Sequence, residues 1–167
     1  MECRSNRTSG TAYIALGSNL DDPKAQLLRA FDDLNALPQT RLIARSSLYL
    51  SAPVGYLEQP PFVNGVAAVE TGLPPHRLLD ALLALEQRRG RVRDRRHGPR
   101  TLDLDVLLYD ELQCHEHGLT LPHPRMHERA FVLLPLLEIA PACVVPGLGP
   151  AARWLEGCAA QAIERLP

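Results

Sequence analysis

Two aspartates near the middle of the chain have the spacing that points most directly to chemistry. Asp103 and Asp105 lie in the apolar run TLDLDVLLY, residues 101–109, which has the alternation of a β-strand. Side chains two residues apart share one face of a strand, so the two carboxylates, Leu107 and Tyr109 are predicted to point the same way. Neighbouring, partly buried carboxylates repel each other unless a cation lies between them. Mg2+ is such a cation, and it combines one or two carboxylates with substrate phosphates.

A cluster of arginines precedes this strand. It consists of Arg91, Arg93, Arg95, Arg96 and Arg100. Guanidinium groups offer fork-shaped donors that match phosphate oxygens, so the whole stretch indicates a metal and polyphosphate site. Two plainer interpretations stay open on the pattern alone. An Asp-x-Asp pair can be a solvated strand end, and arginine clusters are often solvated loops.

Composition limits the class of protein. The chain has 167 residues, 46% hydrophobic and 22% charged, with a net charge of −1. We expect a loose tail over residues 1–10 and a single domain over residues 11–167. A nearly neutral chain has no general positive field for nucleic acid or an anionic membrane, so the local arginines favour a small anionic ligand.

The cysteines and the hydropathy pattern concern the compartment. The cysteines, Cys3, Cys114, Cys143 and Cys158, are far apart in sequence and form no C-x-x-C pair. Neither a zinc knuckle nor a redox motif is indicated, so we expect reduced thiols and a cytoplasmic protein. The polar residues 1–10 do not resemble a signal peptide. The most apolar region is broken by prolines and Glu138, so no transmembrane span is predicted.

The order of predicted elements gives a fold. Strands are expected at residues 11–16, 40–50, 62–70 and 101–109, helices at 23–37, 75–89, 126–138 and 151–165, a proline-rich loop at 51–61, and a surface excursion or hairpin at 110–120. The first six elements follow the ferredoxin-like βαββαβ order, an α+β fold with a four-stranded antiparallel sheet. Its helices are expected on one face and the ligand on the other, with an added C-terminal helical part.

Three further polar residues stand out by position. Asn64 is predicted to share a strand face with Phe62, and Glu86 lies at the edge of a helix's apolar stripe. His123 is held between two prolines, close to Arg129. Each has an ordinary alternative: a backbone-satisfied amide, a solvated glutamate or a helix cap. The pattern alone does not separate these alternatives from ligand contacts.

Several ordered motifs resemble one family. The segment GPRTLDLD, residues 98–105, is similar to the signature of 6-hydroxymethyl-7,8-dihydropterin pyrophosphokinases. The resemblance spans roughly residues 13–146 and includes YIALGSN (13–19), QPPFVN (59–64), the helix end at 86–93 and PHPRMHERAF (122–131). It implies transfer of pyrophosphate from ATP to the hydroxymethyl group of the dihydropterin, which gives AMP and the pterin diphosphate used in folate synthesis.

The resemblance also implies roles for individual residues. Asp103 and Asp105 would hold two Mg2+ ions, and Asp105 or an oxygen held by the metal would take the hydroxyl proton. Arg91 and Arg100 would act on the phosphates during the reaction. The remaining nucleotide contacts would come from Glu86, Arg93, His123 and Arg129, with Arg100 among them. The pterin would be bound by Ser51, Val54, Gly55, Phe62, Asn64 and Phe131.

The chain departs from some relatives at two places. Asp94–His97 stands where some relatives have a longer loop that ends in tryptophan, and Pro124 stands where some have tyrosine. The charged loop is still expected to close over the site as a lid, because exclusion of water would prevent ATP hydrolysis.

Two rival functions remain to be tested. A nucleotidyltransferase can also combine Gly-Ser with Asp-x-Asp, but Ser18 and Asp103 are about 85 positions apart here, whereas those elements lie close together in that class. A non-catalytic ferredoxin-like binding module would leave the arginine density unexplained. We expect a monomeric enzyme with ATP and the dihydropterin as its ligands.

Overall fold

The computed structural model describes residues 8–90 and 101–167. Within these ranges the strands are β1 (Gly10–Ser18), β2 (Thr40–Arg45), β3 (Tyr49–Ser51), β4 (Phe62–Thr71), β5 (Asp103–Tyr109), β6 (Cys114–Glu116), β7 (Leu119–Leu121), β8 (Val144–Val145), β9 (Gly149–Pro150) and β10 (Ile163–Arg165). The α-helices there are α1 (Pro23–Asn35), α2 (Pro75–Arg88) and α3 (Ala130–Ile139), and 3-10 helices cover Met126–Glu128 and Ala151–Cys158.

The described strands form one main antiparallel sheet. Its order is β10-β3-β4-β1-β5, and β2 also pairs with β4. The single strand expected over residues 40–50 is therefore two strands. They are separated at Ser46, whose hydroxyl accepts the Val66 N–H at 2.9 Å. The predicted surface hairpin is present as β6 and β7.

One face of the sheet is closed by α1 and α2. Asp22 caps the start of α1 through Ala25 N–H, and a proline follows it, as the sequence predicts. The contact is mainly apolar: Ala12, Ile14 and Leu16 of β1 pack against Leu27, Phe31 and Leu34 of α1 and Leu78, Leu82 and Leu85 of α2. This cluster is the larger of the two buried cores within the described residues.

Helix α3 lies on the opposite face. It packs with the second 3-10 helix against Val66, Leu107 and Leu108 of the sheet. The core helices α1 and α2 therefore share one face as expected, whereas the added C-terminal part covers the other face, for which the sequence predicted no helix. The final helix expected over 151–165 is wrong, because a 3-10 helix ends at Cys158 and the chain then adds β10 to the edge of β3. Pairing with β10 satisfies backbone groups that an edge strand would leave open.

Strand β5 changes phase near its end. Its pairing with β1 shifts between Tyr13 and Ile14, which leaves Leu107 as an extra residue. Asp103, Asp105 and Leu107 share a face as predicted. Leu108 instead joins Leu107 in the α3 core, and Tyr109 turns to the α1–α2 core, where its hydroxyl donates to Leu73 C=O at 2.6 Å.

Two observations bear on compartment and redox state. Across residues 8–90 and 101–167, no helix is long and apolar enough to cross a membrane. Cys114 is disulfide-bonded, whereas Cys143 and Cys158 carry free thiols. The expectation of reduced cysteines therefore holds for Cys143 and Cys158 and is wrong for Cys114.

Candidate active site

The sheet register brings the predicted polar residues into adjacent rows. Gly17 of β1 is paired with Asn64 of β4 on one side and with Asp103 of β5 on the other. Ala15 is paired in the same way with Asp105. Directly opposed residues in antiparallel strands point to the same face, so the carboxylates and the amide flank two very small residues. The small residues leave room for a cavity on this face.

That cavity, which we call the first cavity, collects most of the predicted site. It is lined by Ala15, Leu16, Gly17, Ala52, Val54, Phe62, Asn64, Asp103, Asp105, Leu107, His123, Arg129, Phe131 and Val132. The lining comes from β1, β4, β5, the loop after β3, the segment after β7 and the start of α3. Sequence reasoning missed the role of Gly17: a Cβ there would lie 3.4 Å from the Asn64 side-chain oxygen and 4.0 Å from the Phe62 ring.

The hydrogen bonds of Asn64 orient its amide. Its Nδ2 donates to Ser51 Oγ at 2.7 Å, and the backbone oxygens of Phe62 and Tyr49 lie at 3.4 and 3.5 Å. All these acceptors surround the nitrogen, so the oxygen is the end of the amide that faces Gly17 and the cavity. Asn64 therefore presents a buried hydrogen-bond acceptor to a ligand.

Two aromatic rings and a cation add to the same cavity. Phe62 and Phe131 both line it and are only partly buried. The guanidinium of Arg129 lies over the Phe131 ring, 5.5 Å from its centroid. A flat heteroaromatic ligand could stack on such rings while an anionic group on it meets the cation.

His123 is neutral and has a defined tautomer. The pKa of its imidazole is lowered from 6.5 to about 4, chiefly by burial and then by the charge of Arg129, against the opposing effect of Asp103. Its Nδ1 accepts the backbone N–H of Arg125 at 3.1 Å. The proton of the neutral ring is therefore assigned to Nε2, which can donate to an oxygen of a ligand.

A second cavity shares its boundary with the first. Asp105 and His123 line both, and the rest of the second cavity comes from Leu79, Val106, Pro124 and the β6–β7 hairpin, residues 115–120. Sequence reasoning expected a surface excursion or hairpin here but gave it no part in a site. The available signal was its position directly after the strand that carries the aspartates, with His115 and His117 on it.

The remaining predicted residues have different surroundings. Glu86 is buried, and its Oε1 accepts the backbone N–H of Leu104 at 2.8 Å. It thus holds β5 at the residue between the two aspartates and does not line either cavity. Ser51 supports Asn64, and Gly55 has a φ of +83° in the loop beside Val54. Arg91, Arg93 and Arg100, like the proposed lid, lie outside the described residues.

Asp103 and Asp105 suit a cation whose remaining ligands come from the substrate. In residues 8–90 and 101–167, no three His, Cys, Asp or Glu side chains are grouped to hold a metal by themselves. Asp103 and Asp105 nevertheless lie on one face of β5, partly exposed to the cavity. Mg2+ is commonly bound by one or two carboxylates with the other ligands supplied by phosphates and water.

Comparisons with known proteins agree with this geometry. The family model described as 7,8-dihydro-6-hydroxymethylpterin-pyrophosphokinase (HPPK) matches residues 13–141. The 2-amino-4-hydroxy-6-hydroxymethyldihydropteridine pyrophosphokinase of Pseudomonas aeruginosa is 52% identical over 155 residues, which cover 93% of this chain and 96% of that protein. The enzyme of the same name from Haemophilus influenzae is 52% identical over 136 residues, 81% of this chain and 85% of its own.

A solved structure supports the fold independently. The crystal structure of Plasmodium falciparum HPPK-DHPS with pteroate has a TM-score of 0.70 and 13% identity over 89% of this chain, which spans 42% of that longer chain. At this identity the likeness concerns the fold alone. The family model and the bacterial relatives, which match most of the chain, show that it belongs to the 7,8-dihydro-6-hydroxymethylpterin-pyrophosphokinase family.

Proposed function

We propose that the two cavities serve the reaction of this family, in which pyrophosphate passes from ATP to 6-hydroxymethyl-7,8-dihydropterin during folate synthesis. The observation that carries the proposal is the shared boundary of the cavities at Asp105 and His123. A donor in one cavity and an acceptor in the other would meet there. Holding the reacting groups at such a boundary supplies the proximity that a two-substrate transfer requires.

The first cavity is proposed to bind the pterin. The Asn64 oxygen accepts an N–H from the ring edge, and Phe62 and Phe131 contact the ring faces. Val54 and the neighbouring backbone from Ser51 to Gly55 complete the wall, and Ser51 Oγ keeps the Asn64 amide oriented. The lack of a side chain at Gly17 leaves the space between Asn64 and Asp103 open for the substrate.

The second cavity is proposed to bind the nucleotide, with its phosphates toward Asp105 and His123. His123 donates its Nε2 proton to a phosphate oxygen, and Arg129 adds a fixed positive charge at the boundary. Arg93 and Arg100 are proposed to bind phosphates as well, with Arg91 and Arg100 acting during transfer. Glu86 acts through the Leu104 N–H, and its predicted contact with the nucleotide stays a prediction.

Asp103 and Asp105 are proposed to hold two Mg2+ ions together with the phosphates. When bound, the ions neutralise charge on the triphosphate and orient it for in-line attack. Asp105 lies at the meeting point of the cavities, where a carboxylate can also accept the proton of the substrate hydroxyl. This placement supports Asp105 rather than Asp103 as the acceptor.

The wider setting is also proposed. The strand order β3-β4-β1-β5, with its intervening α1 and α2, supports a ferredoxin-like core extended by the C-terminal segment. We expect residues 11–167 to act as one domain and the chain to act as a monomer, since side chains of a single chain line both cavities. We expect it in the cytoplasm, where ATP and Mg2+ are available. Size-exclusion chromatography and cell fractionation test these points.

Product analysis tests the function. The chain is incubated with ATP, Mg2+ and 6-hydroxymethyl-7,8-dihydropterin, and the expected products are free AMP and the pterin diphosphate. Transfer of AMP onto the pterin would instead support the nucleotidyltransferase. Binding of the pterin without any product, by a folded chain with Mg2+ present, would support the non-catalytic module.

A further inference from the structure

After the part of the chain that matches the family model has ended at residue 141, the C-terminal segment returns to the backbone beside the first cavity. Beyond the 3-10 helix Ala151–Cys158, strand β10 pairs with β3, and Ile163 lies opposite Ser51. The Ala52 N–H also donates to Ala162 C=O at 3.3 Å. The segment is therefore hydrogen-bonded to the start of the loop after β3, and Ala52 and Val54 of that loop line the first cavity.

Gln161 connects the same segment to the opposite wall. Its Oε1 accepts the backbone N–H of Ala130 at 2.9 Å, and its Nε2 donates to the C=O of Glu128 at 2.7 Å. One side-chain amide thus binds the peptide groups on both sides of Arg129. Because the amide oxygen and the amide nitrogen are each bound to the backbone, Gln161 fixes two neighbouring peptide groups and not just one.

The start of α3 requires such a partner. The first N–H groups of a helix have no acceptor within the helix. Arg129 is the N-cap residue of α3 and makes no capping hydrogen bond with its side chain. Gln161, 31 positions away along the chain, supplies the missing acceptor at Ala130. It therefore caps the helix whose first residues carry the cation and the ring of the cavity.

We propose that Gln161 is a positioning residue for pterin binding. By fixing the peptide groups around Arg129, it sets the direction in which Arg129 and Phe131 enter the first cavity. The same segment fixes Ser51 and Ala52 on the other wall, so the C-terminal segment sets the separation of the two walls. A small cavity between them is lined by residues 51–54, Ala130, Phe131 and residues 161–163, which shows that the three parts meet at one place. The inference rests on the proposed pterin role of this cavity.

The test compares three variants for pterin binding and turnover. Gln161→Ala removes both hydrogen bonds, and Gln161→Glu keeps an acceptor for Ala130 N–H but loses the donor to Glu128 C=O. Glu164→Ala changes an exposed side chain on the same segment and serves as the control. Calorimetric titration gives the Kd for the dihydropterin, steady-state assays give kcat and KM for both substrates, and thermal melting reports folding.

The expected pattern separates positioning from general stability. In Gln161→Ala, the pterin Kd and KM should rise about tenfold, the loss expected for two hydrogen bonds of ordinary net strength. The ATP KM should rise less, and Gln161→Glu should be intermediate. Glu164→Ala should match the wild type. These values are compared at a temperature well below the melting point of each variant, so a change in Tm alone does not produce them.

The opposite results would overturn the inference. A pterin Kd for Gln161→Ala within twofold of the wild type shows that the amide does not position the wall. An equal rise in Glu164→Ala shows a nonspecific effect of the segment. A wild-type chain that binds the pterin but releases no AMP rejects the proposed function while the binding comparison still judges Gln161.

Discussion

The two faces of the sheet are made by the same strands and do different work. Toward α1 and α2, β1 contributes Ala12, Ile14 and Leu16, all buried in an apolar core. Toward the cavity, the alternate residues are Ala15 and Gly17, flanked by carboxylates and an amide. The first face gains free energy by excluding water. The second face gives up such burial to hold polar groups that bind a ligand.

This difference teaches how one small sheet separates stability from chemistry. The period of a strand is two residues, so neighbouring side chains can serve opposite functions without sharing surroundings. Substitutions on one face should therefore change unfolding, and substitutions on the other should change binding and turnover. Variants of each face therefore test that separation.

Replacing both aspartates with Asp103→Asn and Asp105→Asn should abolish most turnover. Several kcal/mol of transition-state charge stabilisation depend on the metal, so kcat should fall by about 10^3-fold or more. The free energy of unfolding should change far less than it does for truncation of a buried core residue, because both side chains are partly exposed. AMP formation and urea unfolding measure the two effects. Asp32→Asn, an exposed change of the same type on α1, is the control, and a large loss of stability in the double variant would contradict the separation.

On the closed face, Leu34→Ala should do the reverse. Leu34 is fully buried in the α1–α2 core, and truncation of a buried leucine costs about 2–5 kcal/mol of unfolding free energy. Well below the melting temperature, kcat and both KM values should match the wild type. Urea unfolding and steady-state kinetics on one preparation test this. A kcat reduced in proportion to stability would show that the two faces are coupled.

His123 should make the ligand-free protein less stable in acid. Its folded pKa of about 4 is below the ordinary 6.5, so the unfolded chain binds more protons between those values and stability falls as pH decreases through that range. The difference amounts to about 3 kcal/mol. Between pH 6.5 and pH 4, the free energy of unfolding of the wild type should therefore fall relative to that of His123→Gln. A constant difference across this range would contradict a neutral, buried imidazole.

The smallest effect is expected for Gly17→Ala. The added Cβ would lie 3.4 Å from the Asn64 oxygen, an ordinary contact that the fold tolerates. It would nevertheless occupy the space between Asn64 and Asp103, so we expect about tenfold weaker pterin binding, or ~1.4 kcal/mol. Calorimetric titration measures this. The change Ala15→Gly, at the neighbouring small residue, should leave the pterin Kd nearly unchanged. If Gly17→Ala also left the Kd unaltered, the pterin would not bind between Asn64 and Asp103.

Much of this arrangement could be predicted from the sequence. The alternation in β5 placed Asp103 and Asp105 on one face, and the Asp22-Pro23 signal marked the start of α1. Local signals could not place α3 on the opposite face, because its apolar residues do not record which surface they cover. They could not reveal β10 either, since its partner β3 is more than 100 positions away.

The site shows the same limit. Phe62, Asn64, His123, Arg129 and Phe131 were expected there, and the structure brings them to one cavity. The Glu86 bond to Leu104 and the contribution of the β6–β7 hairpin depend on tertiary contacts that no spacing rule contains. The first strand was predicted to end at residue 16, so the sequence did not reveal that Gly17 lies in register between Asn64 and Asp103.

The extra residue in β5 has a consequence for how this strand can vary. Because Leu107 interrupts the alternation, Asp105 and Tyr109 point to opposite faces of the sheet although they are four positions apart. The half of β5 that carries the aspartates thus faces the first cavity, while Tyr109 at the other end is hydrogen-bonded to Leu73. Deleting Leu107 would therefore restore regular alternation and leave the acids and the phenol on the faces they occupy now, because Asp105 and Tyr109 would then be three positions apart.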